Sequence, residues 1–360
     1  PTCAASADDS PLEILRVKSP TLIPSQQGAS PSTCGSDPDG REIIRQSLLK
    51  RGVPIISLEI VMASFSSKTL NQYNSYLKSW WLYCNNKGLS YCDSNVTQLI
   101  EFLTEKFNSG AGYSTLNSYR SALSILLGQE ITCQDNVKRF FKGVYRKKPP
   151  APKYDTTWDP NLVLNYLQNY YPNDLISLKD LSLKTITLIA LASAQRMQTL
   201  SLMKIQNISF EEDKIKIKID DLIKTSKPNA FQPLIVLPYI RENPKICPAL
   251  CLKMYLDRTY TLRLQEDFLF ISYQKPHKKI GTQTLSHWVK SILQKSGIDI
   301  TLYGAHSTRH ASTSAAHRAG VNLEIIRKAA GWTKDSNVFL KYYNKDLVTT
   351  DQTDFVDALF

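Results

Sequence analysis

Apolar residues recur at steps of three and four positions through much of the chain, which is the spacing of amphipathic helices. Residues 68–88 are the clearest case, because they follow the candidate N-caps Ser66 and Ser67 and end at Gly88. The apolar positions of this stretch are Tyr73, Tyr76, Leu77, Trp80, Trp81 and Cys84. The pattern predicts a helix whose aromatic stripe lies in a hydrophobic core rather than on a binding surface.

The same spacing returns over residues 95–107 and 114–127, with glycines marking the turns between the stretches. We therefore predict a small all-helical domain of four or five helices over residues 41–145. Residues 1–40 differ, since they contain seven Ser, six Pro and three Gly and no aromatic residue. A segment of this composition cannot bury enough apolar surface to offset its ordering entropy, so we expect it to be disordered.

After about residue 160 the hydrophobic period changes twice. Two helical stretches are followed by three short alternating or apolar runs typical of strands, and then helical spacing returns. The predicted helices are 161–171, 181–203, 247–262, 282–296, 305–319 and 323–330, and the predicted strands are 207–211, 214–219 and 234–237. The pattern predicts a mainly α (α+β) fold, in which a second domain, residues 157–345, has helices around one small antiparallel sheet.

The charge balance points to a polyanionic partner. The chain has 44 Lys and Arg against 32 Asp and Glu, a net charge of +12, and nucleic acid is the commonest partner of so basic a protein. Residues 137–153 hold seven bases and no acid, and they run from an amphipathic helix into a Pro-rich spacer. We place the interdomain linker at residues 146–156 and favour a strap along a phosphate backbone over a solvated spacer. The candidate DNA contacts are Arg146, Lys147 and Lys148 in this segment and Lys78, Asn117 and Arg120 on the polar faces of the first domain.

Other features of the sequence indicate the cellular compartment in which we expect the protein. The most apolar stretch, residues 185–194, is far shorter than the roughly 20 residues of a bilayer span, and no N-terminal segment has the order of a signal peptide. We therefore expect no membrane association. Seven scattered cysteines without a CxxC pair indicate reduced thiols in the cytosol or nucleus. The basic run 146–148 is compatible with nuclear import, and we predict a nuclear location.

The first candidate for chemistry is His306-Ser307-Thr308-Arg309. Positions i and i+3 of a helix share a face, so the imidazole of His306 and the guanidinium of Arg309 point at one spot. A guanidinium grips two phosphate oxygens, and an imidazole exchanges protons near pH 7. A zinc site at His306, His310 and His317 is the alternative, but residues 305–320 contain no acid and two arginines that repel a cation. We predict no metal.

Three further candidates are ambiguous when each is considered alone. Arg196 ends a buried apolar run and must be paired or face a cavity, although a structural salt bridge would serve. Lys224 follows the alternating strand 214–219, where a hairpin could carry it into a cleft, although most lone lysines are simply solvated. Trp332 and the tyrosines at 342 and 343 could be core residues.

Together these residues carry a specific resemblance. The order Arg196, Lys224, His306-x-x-Arg309, Gly331-Trp332 and a final Tyr resembles the tyrosine recombinase (integrase) superfamily. The resemblance spans roughly residues 41–345. Within the superfamily, this sequence is similar to the recombinases of DIRS-type retrotransposons, with the Crypton group next. The segments that carry it are GVYRKKPPAPKYDTTWD, ASAQRMQTLSLM, IKTSKP, HSTRHASTSAA and GWTKDSNVFLKYYNK. Many members have His at the position of Trp332, whereas several eukaryotic members have Trp there, as this sequence does.

The resemblance implies a helical core-binding domain and a catalytic domain that clamp a DNA duplex. It implies that Arg196 and Arg309 hold the scissile phosphate and that Tyr343 attacks it to give a 3′-phosphotyrosine. Lys224 would protonate the leaving 5′-oxygen, His306 would take or position the proton of the tyrosine, and Trp332 would buttress the site. The expected activity is integration or excision of a mobile element by a tetramer on two DNA sites.

The residues themselves fit chemistry without a cofactor. Two guanidiniums and an ammonium can stabilise a charged transition state, and the chain has no GxxxxGK[ST] loop and no carboxylate cluster for magnesium. We therefore expect no metal and no ATP. Two alternatives stay open: a type IB topoisomerase-like relaxase, and a catalytically silent DNA-binding relative.

The identity of the nucleophile and the role of the tail are the finer questions. Tyr342 and Tyr343 point about 100° apart on a helix, so only one can reach the phosphate. In DIRS-like sequences the nucleophile follows a Phe by four residues, which favours Tyr343 after Phe339. The tail, residues 346–360, could form a short helix with one apolar face, and the resemblance implies docking on a neighbouring protomer rather than on its own domain.

Overall fold

The computed structural model describes residues 38–226, 232–333, 337 and 339–347. The predicted disordered segment, apart from residues 38–40, and the tail after residue 347 lie outside this part of the chain. The described residues belong to two units that divide between Pro150 and Ala151. Among the described residues no helix is both long and apolar enough to cross a membrane.

The N-terminal unit is all-helical, because each amphipathic stretch seen in the sequence packs its apolar side into one core. Its helices are α1 (Gly40–Lys50), α2 (Leu58–Ala63), α3 (Ser67–Asn86), α4 (Val96–Asn108), α5 (Tyr113–Leu127), α6 (Gln129–Thr132) and α7 (Asp135–Lys147), with a 3₁₀ turn at Ile55–Ser57. The Ser66 hydroxyl caps α3 by accepting from the backbone N–H of Thr69 at 3.1 Å. Trp80 is fully buried, and its indole N–H donates to the Tyr91 carbonyl at 2.9 Å.

The aromatic stripe of α3 lies against the core as the pattern predicts. Leu77, Trp80 and Cys84 are buried, while Tyr73, Tyr76 and Trp81 are half-buried and pack around them. Helix α7 continues to Lys147, so the first two residues of the predicted linker 146–156 are helical.

The C-terminal unit surrounds a small sheet with helices, which confirms the predicted fold class. Its helices are α8 (Pro160–Gln168), α9 (Leu178–Ser193), α10 (Met197–Leu200), α11 (Pro248–Thr259), α12 (Thr282–Lys295), α13 (Ser307–Arg318) and α14 (Leu323–Ala329), with 3₁₀ turns at Ile205–Asn207, Pro244–Ile246 and Tyr260–Leu262 and a π-helical turn at Phe339–Tyr343. The strands are β1 (Ile208–Phe210), β2 (Lys214–Lys218) and β3 (Leu234–Pro238).

The sheet is antiparallel in the order β1-β2-β3, with Ile215 opposite Leu237 and Ile217 opposite Ile235. These four side chains are buried, because alternation along each strand sends them to the core while the lysines of β2 face outward. The β2–β3 connection therefore forms a hairpin, and Lys224 lies in it.

One predicted element is wrong in a way that shapes the site. Residues 181–203 do not form a single helix, because α9 ends at Ser193 and Ala194 adopts a left-handed conformation with φ of 50°. The chain then resumes as α10, and Arg196 occupies its N-cap position. The apolar run is continuous in sequence, but a bond from Arg309 to the Ala194 carbonyl, described below, stabilises the break.

Candidate active site

His306 and Arg309 lie at the start of α13. Ser307 anchors this end, since its hydroxyl donates to the Gly304 carbonyl at 2.7 Å and accepts from the indole N–H of Trp158 at 2.9 Å. His306 immediately precedes the helix and is exposed, whereas Arg309 is 1% exposed. The spacing thus places an accessible imidazole beside a buried guanidinium.

The Arg309 guanidinium forms one strong hydrogen bond, and its other donor groups remain unused within the described residues. Its Nη1 donates to the Ala194 carbonyl at 2.6 Å, and its Cζ lies 4.3 Å from the centre of the Trp332 ring. Its Nε and Nη2 are buried and have no hydrogen-bond partner in the described part of the chain. Burial and the charge of Arg196 lower the pKa of Arg309 to about 10, and the Tyr343 phenol partly offsets this effect. Two unused donors of a planar fork suit an incoming oxyanion.

The π-helical turn brings Tyr343 onto α13. The Tyr343 hydroxyl lies 3.1 Å from Nε2 of His306, and the residue is 9% exposed. Its backbone carbonyl accepts from the Ser314 hydroxyl at 2.5 Å, and that hydroxyl accepts from the backbone N–H of Lys345 at 3.1 Å. Tyr342 is 53% exposed. The structure therefore places Tyr343, and not Tyr342, beside the histidine.

Trp332 completes the aromatic surroundings of this phenol. Its ring centre lies 4.8 Å from that of Tyr343, at an interplanar angle of 61°. It follows Gly331, whose φ of +65° is a left-handed conformation that favours glycine. The indole N–H of Trp332 is buried and has no partner among the described residues.

Arg196 and Lys224 contribute charge to the same place. Although His306 is exposed as a whole residue, its ring lies against Tyr343, and desolvation there is the largest cause of its lowered pKa. The positive charges of Arg309, Arg196 and Lys224 add to the effect in that order, and the pKa falls to about 4. Arg196 is half-buried and Lys224 is exposed in the β2–β3 hairpin. Five separate segments of the C-terminal unit thus bring together the six predicted residues Arg196, Lys224, His306, Arg309, Trp332 and Tyr343.

Sequence reasoning missed residues that hold the tyrosine. The sequence analysis considers His310 only as a zinc ligand. In the structure His310 is 8% exposed and stacks on the Tyr343 ring. Lys345 Nζ donates to the Tyr154 carbonyl at 3.0 Å, and the Thr157 N–H donates to the Asp346 carbonyl at 2.7 Å. The i, i+4 spacing of His306 and His310 was the one available signal, because the other contacts join residues far apart in sequence.

The candidate DNA-contacting residues of the N-terminal unit fall into two groups. Lys78, Asn117 and Arg120 are half-buried, and Arg120 Nη2 donates to the Asn117 side chain at 2.7 Å. Arg146, Lys147 and Lys148 are exposed, and Lys148 Nζ donates to the Gly110 carbonyl at 2.7 Å. One residue of each group, Arg120 and Arg146, lines a shallow basic groove of about 340 Å³, whose other lining residues are Tyr113, Lys138, Phe141, Lys142 and Tyr145.

Within the ranges that the structure describes, no three His, Cys, Asp or Glu side chains are grouped so that they could hold a metal ion. Arg309 and Lys345 lie near His310, and their positive charges disfavour a cation beside this ring. Independence from metal and cofactor stays a prediction.

This fold, a mostly helical chain with a small three-stranded antiparallel sheet, is that of the tyrosine recombinases. The Phage integrase family matches residues 164–348, slightly more than half of the chain, and the chain belongs to this family. A comparison with curated proteins finds no match.

Solved structures of similar fold cover both units. The XerH site-specific recombinase in its post-cleavage complex with palindromic difH substrate is 17% identical, with a TM-score of 0.59 over 89% of this chain and 94% of that one. The Tn1549 transposon integrase with transposon right-end DNA is 14% identical, with a TM-score of 0.53 over 89% and 98% of the two chains. A lambda integrase dimer on a COC' core site is 15% identical, with a TM-score of 0.50 over 87% and 96%. At these identities the comparison shows a shared fold.

The electrostatics of the site predict a pH-dependent stability. The pKa of His310 is about 4 in the folded chain and about 6.5 in the unfolded one, so the unfolded state binds more protons between these values. The contribution of this group is fully present above about pH 6.5 and is lost as the pH falls towards 4. We expect the free energy of unfolding, measured with urea, to fall less steeply over this range in His310→Phe than in the wild type. Equal slopes would contradict a neutral buried His310.

Proposed function

We propose that the protein cleaves and rejoins DNA strands at specific sites through a 3′-phosphotyrosine intermediate. The observation that carries this proposal is the Tyr343 hydroxyl, which lies 3.1 Å from the His306 imidazole and next to the buried Arg309 guanidinium. A nucleophile, a proton acceptor and unused cationic donors therefore meet at one point of a strongly basic protein.

The chemistry follows from the residue types. The Tyr343 oxygen attacks phosphorus, the bond from phosphorus to the 5′-oxygen breaks, and Lys224 supplies the proton of the leaving hydroxyl. His306 accepts the phenolic proton, a role that requires a neutral imidazole, and its lowered pKa keeps the ring neutral before DNA binds. Arg196 and Arg309 hold the non-bridging oxygens while negative charge develops. The phosphotyrosine keeps the energy of the broken ester bond, so rejoining needs no ATP.

The nucleophile can be tested with a matched pair of substitutions. Tyr343→Phe removes one oxygen and leaves the ring, so it should bind duplex DNA normally and form no covalent adduct with a suicide substrate. Tyr342→Phe is the control, because Tyr342 is exposed and should be dispensable for adduct formation. Denaturing gel electrophoresis of the adduct measures both. Activity in Tyr343→Phe with loss in Tyr342→Phe would move the assignment by one residue.

We also propose that each chain supplies the tyrosine to its own active site. The segment after the π-helical turn is bound to the same chain at four points: through Ser314 to Tyr343 and Lys345, from Arg318 to the Lys345 carbonyl at 3.0 Å, from Lys345 to Tyr154, and from Thr157 to Asp346. Attack on a phosphate held by a neighbouring chain would require these bonds to break.

Mixing two inactive variants tests this arrangement. Arg309→Met retains the tyrosine, and Tyr343→Phe retains the phosphate-binding residues. We expect an equimolar mixture to form no covalent adduct, since neither chain has a complete site. Mixed wild-type and Tyr343→Phe chains are the control for assembly. Restoration of adduct in the mixture of variants would mean that the tyrosine acts in trans.

The basic end of α7 is proposed to bind the phosphate backbone. Arg146 and Lys147 are exposed and form no ion pair within the described residues, whereas Lys148 is engaged with Gly110. Each neutralised phosphate contributes about 0.9 to the slope of log affinity against log salt. We expect Arg146→Ala with Lys147→Ala to flatten that slope by about two units on any duplex.

A matched control removes the same charge elsewhere in the unit. Lys50 on α1 is paired with Asp93, and Lys87 is paired with Glu105 at 3.0 Å, so Lys50→Ala with Lys87→Ala should change the slope little. Fluorescence anisotropy over a salt series measures both double variants. Equal salt slopes for the two double variants would mean that the end of α7 is only a spacer and does not bind the phosphate backbone.

The biological setting is a proposal that rests on the sequence resemblance. Similarity to DIRS-type and Crypton recombinases supports a nuclear enzyme that integrates or excises a mobile element as a tetramer on two DNA sites. The alternatives make different products. A type IB topoisomerase-like relaxase would relax supercoils without joining strands from two duplexes, and a silent DNA-binding relative would form no adduct. Retention of all six candidate residues supports the recombinase over the silent relative.

A further inference from the structure

His310 lies against the candidate nucleophile but has no part in the reaction proposed above. It follows Arg309 on α13, and its ring lies parallel to that of Tyr343, with 4.1 Å between ring centres and an interplanar angle of 13°. Among the ring contacts that the structure describes for Tyr343, this is the stacked one, since Trp332 and His306 meet it at 61° and 74°.

The imidazole of His310 is itself held firmly. It is 8% exposed, and the rings of Tyr154 and His306 meet it edge-on, each at 5.6 Å and 82°. Tyr154 is in turn tied to Lys345 through its carbonyl, so the support of the stack includes the segment that follows the tyrosine. A ring enclosed in this way can act as a fixed wall.

Burial and the neighbouring positive charges keep the imidazole of His310 neutral. Burial and the neighbouring His306, Lys345 and Arg309 disfavour the imidazolium, and the pKa is lowered to about 4. Nδ1 of His310 is buried and forms no well-aligned hydrogen bond within the described residues, although the backbone of Tyr342 lies near enough to His310 to raise its pKa slightly against these effects. The hydrogen bond of the Tyr343 hydroxyl goes to His306. His310 thus offers the phenol a flat surface and not a proton acceptor.

We propose that His310 is a positioning residue, which fixes the Tyr343 ring by stacking so that its hydroxyl stays at Nε2 of His306 and faces the scissile phosphate. The proposal rests on the proposed function for its catalytic consequence. Ser314 fixes the backbone of Tyr343, but the side chain can still turn about its Cα–Cβ bond, and such a turn carries the distant hydroxyl away from the histidine. A misplacement of about 1 Å can cost a hundredfold in rate.

Two substitutions distinguish the contribution of the flat ring of His310 from that of its nitrogen atoms. His310→Phe keeps a flat ring, and His310→Leu keeps bulk without one. At saturating suicide duplex, we expect single-turnover adduct formation in His310→Phe within about threefold of the wild type and a loss of tenfold or more in His310→Leu. DNA affinity should be unchanged in both. Wild-type rates in His310→Leu would exclude the stacking role, and an equal loss in both variants would assign the effect to an imidazole nitrogen.

A second readout does not depend on catalysis. With 3-fluorotyrosine incorporated at position 343, the ¹⁹F resonance reports the ring that stacks on it in the DNA-free protein. We expect His310→Leu to shift this resonance strongly, and His317→Leu to shift it little, because His317 is on the same helix but contacts Phe339 at 5.3 Å.

These two readouts distinguish the two proposals. A wild-type protein that forms no adduct would refute the proposed function, while the fluorine shift would still decide whether His310 holds the ring. An unshifted resonance in His310→Leu would refute the positioning role whatever the activity.

Discussion

The hydrogen bond from the Arg309 guanidinium to the Ala194 carbonyl is the contact on which the active site depends. It joins α13 to the point where the long apolar run breaks between α9 and α10. A left-handed alanine costs about 1 kcal/mol, and a charge-assisted bond to its carbonyl can offset that cost. Because the helix ends there, Arg196 leaves the helical path and occupies the start of α10 beside Arg309.

The tyrosine depends on a second set of contacts, centred on Ser314. Its hydroxyl bonds to the backbone on both sides of Asn344, so α13 supplies Arg309, His310 and the support for Tyr343, and His306 immediately precedes it. One helix of twelve residues and the histidine before it therefore align the proposed nucleophile, its proton acceptor and one phosphate-binding group. Groups placed on a rigid element keep their relative positions more accurately than groups on separate loops.

The sequence was informative where chemistry is local and less so where it depends on distant contacts. Alternation in residues 214–219 and the stripe of residues 68–88 predicted β2 and α3, because each pattern reports which face is buried. The same logic failed at residues 181–203, since an uninterrupted apolar run carries no sign of a tertiary bond at Ala194. The order of the six site residues could be recognised by resemblance. The stack of His310 on Tyr343 could not, because it depends on how the π-helical turn folds back onto α13.

The site is a concentration of positive charge that lacks its counter-charge. No carboxylate is among the groups that shift the pKa of His306 or Arg309, and two donors of Arg309 are buried and unpaired within the described residues. A phosphodiester bound there would satisfy these donors and neutralise part of the repulsion that lowers the pKa of His306. That pKa would then rise part of the way towards its ordinary value near 6.5, because the anion would offset the cations, whereas burial, the largest cause of the shift, would remain. In the proposed reaction, substrate binding would therefore tune His306 to accept the phenolic proton during cleavage and to return it during rejoining, with its pKa closer to the working pH.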